Sequence, residues 1–350
     1  MQKPINIEKL TDAVRHNCHI ADARHAANYT LCIYLLKMRE LYRWEQGYSL
    51  EQELPGEAVG EWVKQREDYW AGIEEKDYSP IPINGDLHDP FDQQTINKNL
   101  KPHGLVYSAG LGRNAAAHFF LGELDETRHH NGSEIFISGR EMARDLTSPP
   151  AMTRESSIFL RRESLRRLLW ERVQEWRWER TDGALGKALS SYDLENNFEE
   201  GLDALVDSQL EVVLWHEVGE VMAAQYIDAS WHELLLAIAG SRAELMARAV
   251  RDNYADVLST LPNLLEDIKS ARLHYYMATL GPMRRQLYPG LVEGYQHWLD
   301  TGKLNILINA VEQGKDHWRQ LIDGMIDLHR EQGDDCKEAV AMLIDSHQLK

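Results

Sequence analysis

RHNCHIADARHAANYTLCIYLLKMRELYRWE, residues 15–45, is the stretch that decides the fold. It contains neither glycine nor proline and therefore predicts one helix, roughly 45 Å long at about 1.5 Å per residue. From Ala26 to Trp44 it is apolar over most of its circumference, which is typical of a helix at the centre of a fold. The sequence thus predicts a mainly α protein, a multi-helix bundle around this long buried N-terminal helix.

A polar stripe runs along the same helix. A rotation of about 100° per residue places seven side chains on one side: Cys18, Asp22, His25, Tyr29, Cys32, Leu36 and Glu40. Buried thiol, carboxylate and imidazole groups are costly unless they are paired or bound to something, and all three are metal ligands. We therefore predict Asp22 and His25 as metal ligands, Cys18 and Glu40 as weaker candidates, and Tyr29 as a candidate for proton transfer. The alternative is a core helix whose polar groups form hydrogen bonds to neighbouring helices.

A second candidate lies in WHEVGEV, residues 215–221, within a predicted helix over 202–227. His216 and Glu220 share a face at i, i+4 spacing, with Glu217 as a weaker candidate. The zinc-peptidase pattern HExxH is absent because Glu220 stands where its second histidine would be. A histidine and a carboxylate on one helix still fit a metal site between facing helices, as in di-iron bundles. An internal His–Glu ion pair is the alternative.

Three weaker patterns complete the list of candidates. His274, in ARLHYYMATLGP, could join a shared metal site, although histidine and tyrosine at this spacing are also common packing residues. SAGLGRN at 108–114 lacks the spacing of a phosphate-binding loop and predicts a tight turn, where Arg113 could meet an anion. The Arg- and Trp-rich segment 154–180 predicts a helix that either forms a partner surface or pairs with the protein's own carboxylates.

The organisation outside the long helix is mostly helical. Only residues 104–139 predict strands, as a small antiparallel hairpin or meander inserted among the helices. We expect a helical region with this β element over 1–180 and an all-helical region over 181–350, or alternatively one continuous domain.

Charge and composition limit the possible partners. The net charge of −18 disfavours bulk binding to nucleic acid or to an anionic membrane surface, because phosphate groups attract positive charge. No apolar run approaches the roughly 20 residues of a membrane helix, and MQKPINIEKL lacks the apolar core of a signal peptide. The three cysteines show no CxxC spacing and predict no disulfide framework. We expect a cytoplasmic protein whose partner is a small molecule or another protein.

Several segments together resemble an uncharacterised bacterial protein family, a domain of unknown function. They are HNCHIADARHAANYTLCIYLLKMREL followed by YRWE, SAGLGR, FISGRE, SPPAM and the WHEVGEV helix. The resemblance covers most of the chain and implies a stand-alone protein. It implies no activity and carries over no functional residues.

Two classes of function follow from these patterns. The first is a metal-binding or metal-dependent non-haem enzyme acting on a small molecule. Its divalent ion (Fe, Mn or Zn) would be bound by Asp22, His25, His216 and Glu220. The second is a non-catalytic interaction or regulatory protein, in which the same buried His and carboxylate pairs are structural.

Overall fold

The computed structural model describes residues 5–112, 116–130, 132–154, 156–180, 182–227, 229–266 and 268–350. It divides into two compact units, Met1–Trp170 and Glu171–Lys350. Helices predominate, so the prediction of a mainly α protein is confirmed. No helix in these described ranges combines the length and the apolar character that crossing a membrane requires.

The long helix predicted over residues 15–45 is two helices. Helix α1 (Ile7–His25) continues into a short 3₁₀ turn, and helix α2 (Leu31–Glu45) begins after Thr30. Tyr29 and Thr30 have extended backbones at the break. Thr30 is the N-cap residue of α2, a position that threonine favours, although its side chain makes no capping hydrogen bond here. The single-helix prediction is therefore wrong.

Burial differs sharply between these two helices. One face of α1 is buried against strand residues such as Tyr107, Phe119 and Leu121. The first half of α2, in contrast, is exposed at its apolar side chains: Leu31, Cys32, Ile33, Leu35 and Leu36. The prediction of a helix buried along its whole length is wrong for this half of α2.

The other elements of the first unit are short helices and strands. The helices are α3 (Gly56–Ala71) and α4 (Gln93–Leu100). The strands are β1 (Ile81–Ile83), β2 (Asp86–His88), β3 (Leu105–Leu111), β4 (Ala117–His130), β5 (Ser133–Arg144), β6 (Ala151–Arg154) and β7 (Ser157–Arg161). Helix α5 (Arg162–Glu179) follows β7 and extends into the second unit.

The β region is larger than the predicted hairpin or meander. Strands β1 and β2 form a small antiparallel pair, and the other five form a sheet in the order β3-β4-β5-β7-β6. Neighbours are antiparallel except β5 and β7, so this sheet is mixed. The helix predicted over 154–180 begins only at Arg162, as α5. The residues SIFLR directly before it form strand β7. Of the predicted glycine-rich turn, Ser108–Leu111 belong to β3, and Arg113 lies outside the described residues.

The second unit is helical throughout its described part. Its further helices are α6 (Ala184–Leu189), α7 (Phe198–Tyr226), α8 (Ala229–Ala237), α9 (Arg242–Ala255), α10 (Leu261–Glu266), α11 (Ser270–Thr279), α12 (Pro282–Leu287), α13 (Pro289–Thr301), α14 (Asn305–Gln332) and α15 (Lys337–Ser346). Helix α9 runs into α10 through a π-helical segment, Asp256–Thr260. The helices from α7 through α15 share one apolar core, and Trp318 and Tyr288 are among its fully buried side chains.

Candidate functional site

The close approach of α7 to α9 positions the candidate site. Gly219 lies on α7, where an added Cβ would collide with the backbone of Ala255 at the end of α9. Only glycine permits this spacing, because it has no Cβ. His216, nearly one turn earlier on α7, thereby comes beside Asp256 at the start of the π-helical segment.

Asp256 is the centre of a buried polar network. Its Oδ1 accepts hydrogen bonds from His216 Nδ1 at 2.8 Å and from Thr260 Oγ1 at 2.7 Å. Its Oδ2 accepts one from the Tyr276 hydroxyl at 2.6 Å and one from the Arg284 guanidinium. π-Helical turns are frequent at functional sites, and this turn places the Thr260 hydroxyl against the Asp256 carboxylate.

The network fixes the charge of both central groups. Burial alone would raise the pKa of Asp256, but Arg284 and His216 outweigh it and hold this pKa well below its usual range. Burial alone would lower the pKa of His216, but attraction to Asp256 and the hydrogen bond to it raise this pKa to about 9. Asp256 is therefore an anion and His216 an imidazolium at neutral pH.

His216 also reaches the surface of its unit, where charged residues surround it. Its side chain is 30% exposed, and Glu220 Oε1 lies 3.9 Å from Nε2, beyond hydrogen-bond distance. Glu220 instead accepts a hydrogen bond from Arg251 at 2.8 Å. Glu217 adds to the raised pKa of His216, and burial raises the pKa of the nearby Asp252 carboxyl. The structure therefore brings His216 and Glu220 together, as their spacing predicted.

The predicted ligands on α1 turn to partners within the first unit. Asp22 Oδ1 accepts a hydrogen bond from the Leu146 amide at 2.9 Å. Burial raises the pKa of Asp22, and the negative charge of Asp145 raises it further. Cys18 Sγ donates to the Phe119 carbonyl at 3.3 Å, and burial raises the thiol pKa. His25 is half-buried at the end of α1, with a pKa lowered by burial and by Arg24.

The other candidates also have separate partners. The Tyr29 hydroxyl lies 3.0 Å from Thr147 Oγ1, and Glu40 accepts a hydrogen bond from Arg43 at 3.0 Å. In the second unit, His274 Nδ1 lies 2.8 Å from the Tyr295 hydroxyl, and its pKa is lowered by burial. Each of these contacts is a hydrogen bond or ion pair of the kind that stabilises a folded unit.

A metal site built from these residues stays a prediction. Within the described ranges, no group of three or more histidine, cysteine, aspartate and glutamate side chains is arranged to hold a metal ion. Asp22 and His25 belong to the first unit and His216 and Glu220 to the second. His216 would have to lose its proton before it could bind a metal.

Asp256, Tyr276 and Arg284 were not among the site residues predicted from the sequence. Asp256 and Thr260 are polar residues at i, i+4 in a mostly apolar helical segment, YADVLSTLPNLL, in which Asp256 is the only charged residue. A carboxylate in such a place is costly unless donors surround it, and this was the available signal. Tyr276 and Arg284 offered none, because their partners lie 20 and 28 residues away.

The arginines around segment 154–180 pair within the protein at several points. Arg161 donates to Glu141 at 2.9 Å, with both side chains fully buried in the first unit. Arg172 and Glu175 form a pair at 2.6 Å on the exposed part of α5. These pairs agree with the second of the two readings of this segment, in which the arginines meet the protein's own carboxylates.

Comparison with family models identifies the family of the chain, and the function of that family is unknown. Residues 9–161 match the N-terminal domain of a family of unknown function, DUF6866, and residues 166–347 match its C-terminal domain. The chain belongs to this family. No curated protein and no solved structure gives a significant match. The resemblance to an uncharacterised family is thus confirmed.

Proposed function

We propose that the C-terminal unit of this DUF6866 protein binds a small molecule at His216 and donates a proton to it as a general acid. The observation that carries the proposal is that the two ring nitrogens of His216 have different environments. Nδ1 is bound to Asp256 at 2.8 Å, whereas Nε2 lies 3.9 Å from Glu220 Oε1, beyond hydrogen-bond distance. The Nε2 proton can therefore be donated to a ligand.

Asp256 supports this role by orienting the imidazole. Thr260, Tyr276 and Arg284 hold its carboxylate from three other directions, so the His216 ring has a fixed partner. A buried carboxylate behind Nδ1 is the usual means of holding a catalytic histidine in one orientation and of stabilising its charged form. Here it makes His216 an acid at neutral pH, since its pKa is about 9.

A complementary base is present in the same charged neighbourhood. Burial raises the pKa of Asp252, which makes this carboxylate a stronger base than an exposed aspartate. Two titratable groups with shifted pKa values are the usual composition of an acid–base pair. We assign His216 the role of acid and Asp252 that of base, in a reaction that protonates an oxygen or nitrogen atom of the ligand. Helices α7 and α9 would form the walls of this site within a helical bundle.

Side-chain NMR of the histidines tests the proposal. Acetate, inorganic phosphate and acetamide are titrated separately into the full chain, each supplying a different kind of acceptor. We expect a saturable shift of the His216 Nε2 resonance with at least one of them. Binding to the variants is followed by the backbone amide resonances of α7. His216→Asn should abolish the ligand-dependent shifts, because asparagine can keep the bond to Asp256 but lacks Nε2. His232→Asn, on the exposed side of α8, is the matched control. If His216 Nε2 responds to none of the three, the proposal is wrong.

The metal hypothesis remains a second candidate because His216 Nε2 and Glu220 Oε1 lie on one helix face, 3.9 Å apart. Metal analysis of protein purified without chelator tests it. Stoichiometric iron, manganese or zinc that is lost in the His25→Ala, His216→Ala double variant would support the hypothesis. A metal-free protein would contradict it and leave the general-acid proposal intact.

A further inference from the structure

An apolar groove lies on the first unit and shares no lining residue with the His216 site. It encloses about 440 Å³ between α1, α2 and α3. Its lining is mainly apolar: Ala23, Ala26, Ala27, Tyr29, Leu31, Tyr34, Trp70 and Ala71. Glu67 and Glu74 complete the lining and are the charged groups in it.

The exposed half of α2 extends this groove. Leu31, which lines the groove, is 70% exposed, and Leu35, one turn later on the same face, is 48% exposed. Leu36 and Ile33 continue the apolar surface around the helix at 55% and 45% exposure. Contiguous exposed apolar surface of this kind marks an interaction site more often than a free surface.

The charge around the groove selects the partner. On the α3 side, residues 51–77 contain nine acidic residues and three basic ones, and Glu67 and Glu74 of this side line the groove. On the α2 side, Lys37 lies over the ring of Tyr29. A second copy docking by the same surface would bring Glu67 and Glu74 of both copies close together, and this like-charge contact disfavours self-association. An anionic membrane surface would be repelled for the same reason.

We propose that the groove and the exposed face of α2 bind a basic amphipathic helix of another protein. The partner's apolar side chains would enter the groove beside Leu31 and Trp70, and its lysines or arginines would face Glu67 and Glu74. This is the helix-in-groove mode of recognition, in which apolar anchors supply affinity and charges around them supply selectivity. The site is independent of the general-acid site on the other unit.

Two synthetic peptides with the same leucine spacing test this inference. One is a helical peptide of leucine and lysine, and the other replaces every lysine by glutamate. Fluorescence anisotropy with the full chain should show saturable binding of the basic peptide and at least roughly tenfold weaker binding of the acidic one. Equal binding of both peptides, or no binding of the basic one, would overturn the proposal.

Matched variants locate the binding surface. Leu31→Ser with Leu35→Ser should weaken binding of the basic peptide roughly tenfold or more, because apolar anchors dominate such interfaces. Leu236→Ser with Leu245→Ser removes two exposed leucines of the second unit and should leave binding unchanged. Glu74→Lys should weaken binding more than Glu75→Lys, which changes the net charge equally at a residue outside the groove lining. If groove and control variants behave alike, the groove is not the site.

Two other occupants are distinguished in the same experiment. Dimerisation of the unliganded chain that Leu31→Ser with Leu35→Ser abolishes would assign the surface to a second copy. Binding to phosphatidylcholine vesicles that the same variant abolishes would assign it to a lipid surface. Either result would overturn the proposed partner.

Discussion

Two histidines, one in each unit, lie close to buried aspartate and arginine groups, but one is positively charged at neutral pH and the other is neutral. In the second unit, His216 binds Asp256 directly, and its pKa is raised to about 9. In the first unit, His118 Nδ1 lies 3.3 Å from an Arg154 nitrogen, and its Nε2 is buried with no hydrogen-bond partner among the described residues. Burial lowers the pKa of His118 to about 4, although Asp145 opposes this shift.

The comparison shows that the group in direct contact decides the charge of a buried imidazole. Burial opposes the charged form of both rings. It prevails for His118, which lies beside the Arg154 cation, and fails for His216, which is hydrogen-bonded to the Asp256 carboxylate. His118 is accordingly a neutral packing residue and His216 a proton donor.

The largest effect is expected from removing the carboxylate. Asp256→Asn leaves Arg284 and His216 without their counter-ion and should cost the second unit about 3–5 kcal/mol of unfolding free energy. The pKa of His216 should fall below its ordinary value, since burial is then the dominant influence. Urea denaturation and histidine NMR measure the two effects.

Asp252→Asn is the matched control for this variant, with the same exchange four residues earlier. It should cost less than about 1 kcal/mol, because burial already disfavours the charged form of Asp252. If the two variants were equally stable, Asp256 would not be the centre of the network.

The two units should respond to pH in opposite directions. His216 has a folded pKa above its ordinary value of 6.5, so its stabilisation is complete below pH 6.5 and is lost as the pH rises to about 9. A shift of this size corresponds to about 3 kcal/mol. His118 has a folded pKa below 6.5, so the first unit should lose stability as the pH falls from 6.5 towards 4.

Hydrogen exchange with mass spectrometry resolves the two responses, after correction for the intrinsic pH dependence of exchange. Peptides around residues 117–121 report on the first unit and peptides around 212–220 on the second. Parallel changes in both sets of peptides would contradict the assigned charges.

A smaller effect is expected from replacing the neutral histidine. His118→Leu should change the unfolding free energy at pH 7 by no more than about 1 kcal/mol, because an uncharged buried ring is exchanged for an apolar side chain. It should also reduce the loss of stability between pH 6.5 and 4. Urea denaturation at pH 7 and pH 5 tests both expectations, and an unchanged acid response would show that His118 is not its source.

The smallest effect is expected from replacing Glu220, the carboxylate one turn after His216 on α7. Glu220→Gln should lower the pKa of His216 by less than about one unit, because a carboxylate at 3.9 Å without a hydrogen bond contributes less than Asp256. An NMR titration of His216 measures this shift. A larger shift would mean that Glu220 shares the role of Asp256.

The sequence predicted those features that depend on neighbouring residues. The predominance of helix, strands between 104 and 139, and the shared face of His216 and Glu220 all follow from local periodicity. The break between α1 and α2 was missed because Asn28, Tyr29 and Thr30 interrupt the helix without glycine or proline. Strand β7 was missed because its parallel partner β5 lies more than twenty residues earlier in the chain.

The candidate site was predicted only in part, for a related reason. Periodicity placed His216 on α7 but could not show which group faces it. Asp256 is 40 residues away, and its other donors come from α11 and α12. The polar stripe on residues 15–45 failed as a single surface because the helix that would carry it is broken.

One consequence of the Asp256 network concerns how the second unit opens. The carboxylate joins α7, the α9–α10 helix, α11 and α12, which are otherwise separate segments of the chain. Separating any of these segments breaks a hydrogen bond to the buried carboxylate, and separating α7 or α12 also removes one of its two counter-ions. They should therefore unfold together as one cooperative unit, and partial openings of this region should be rare compared with openings of helices outside the network.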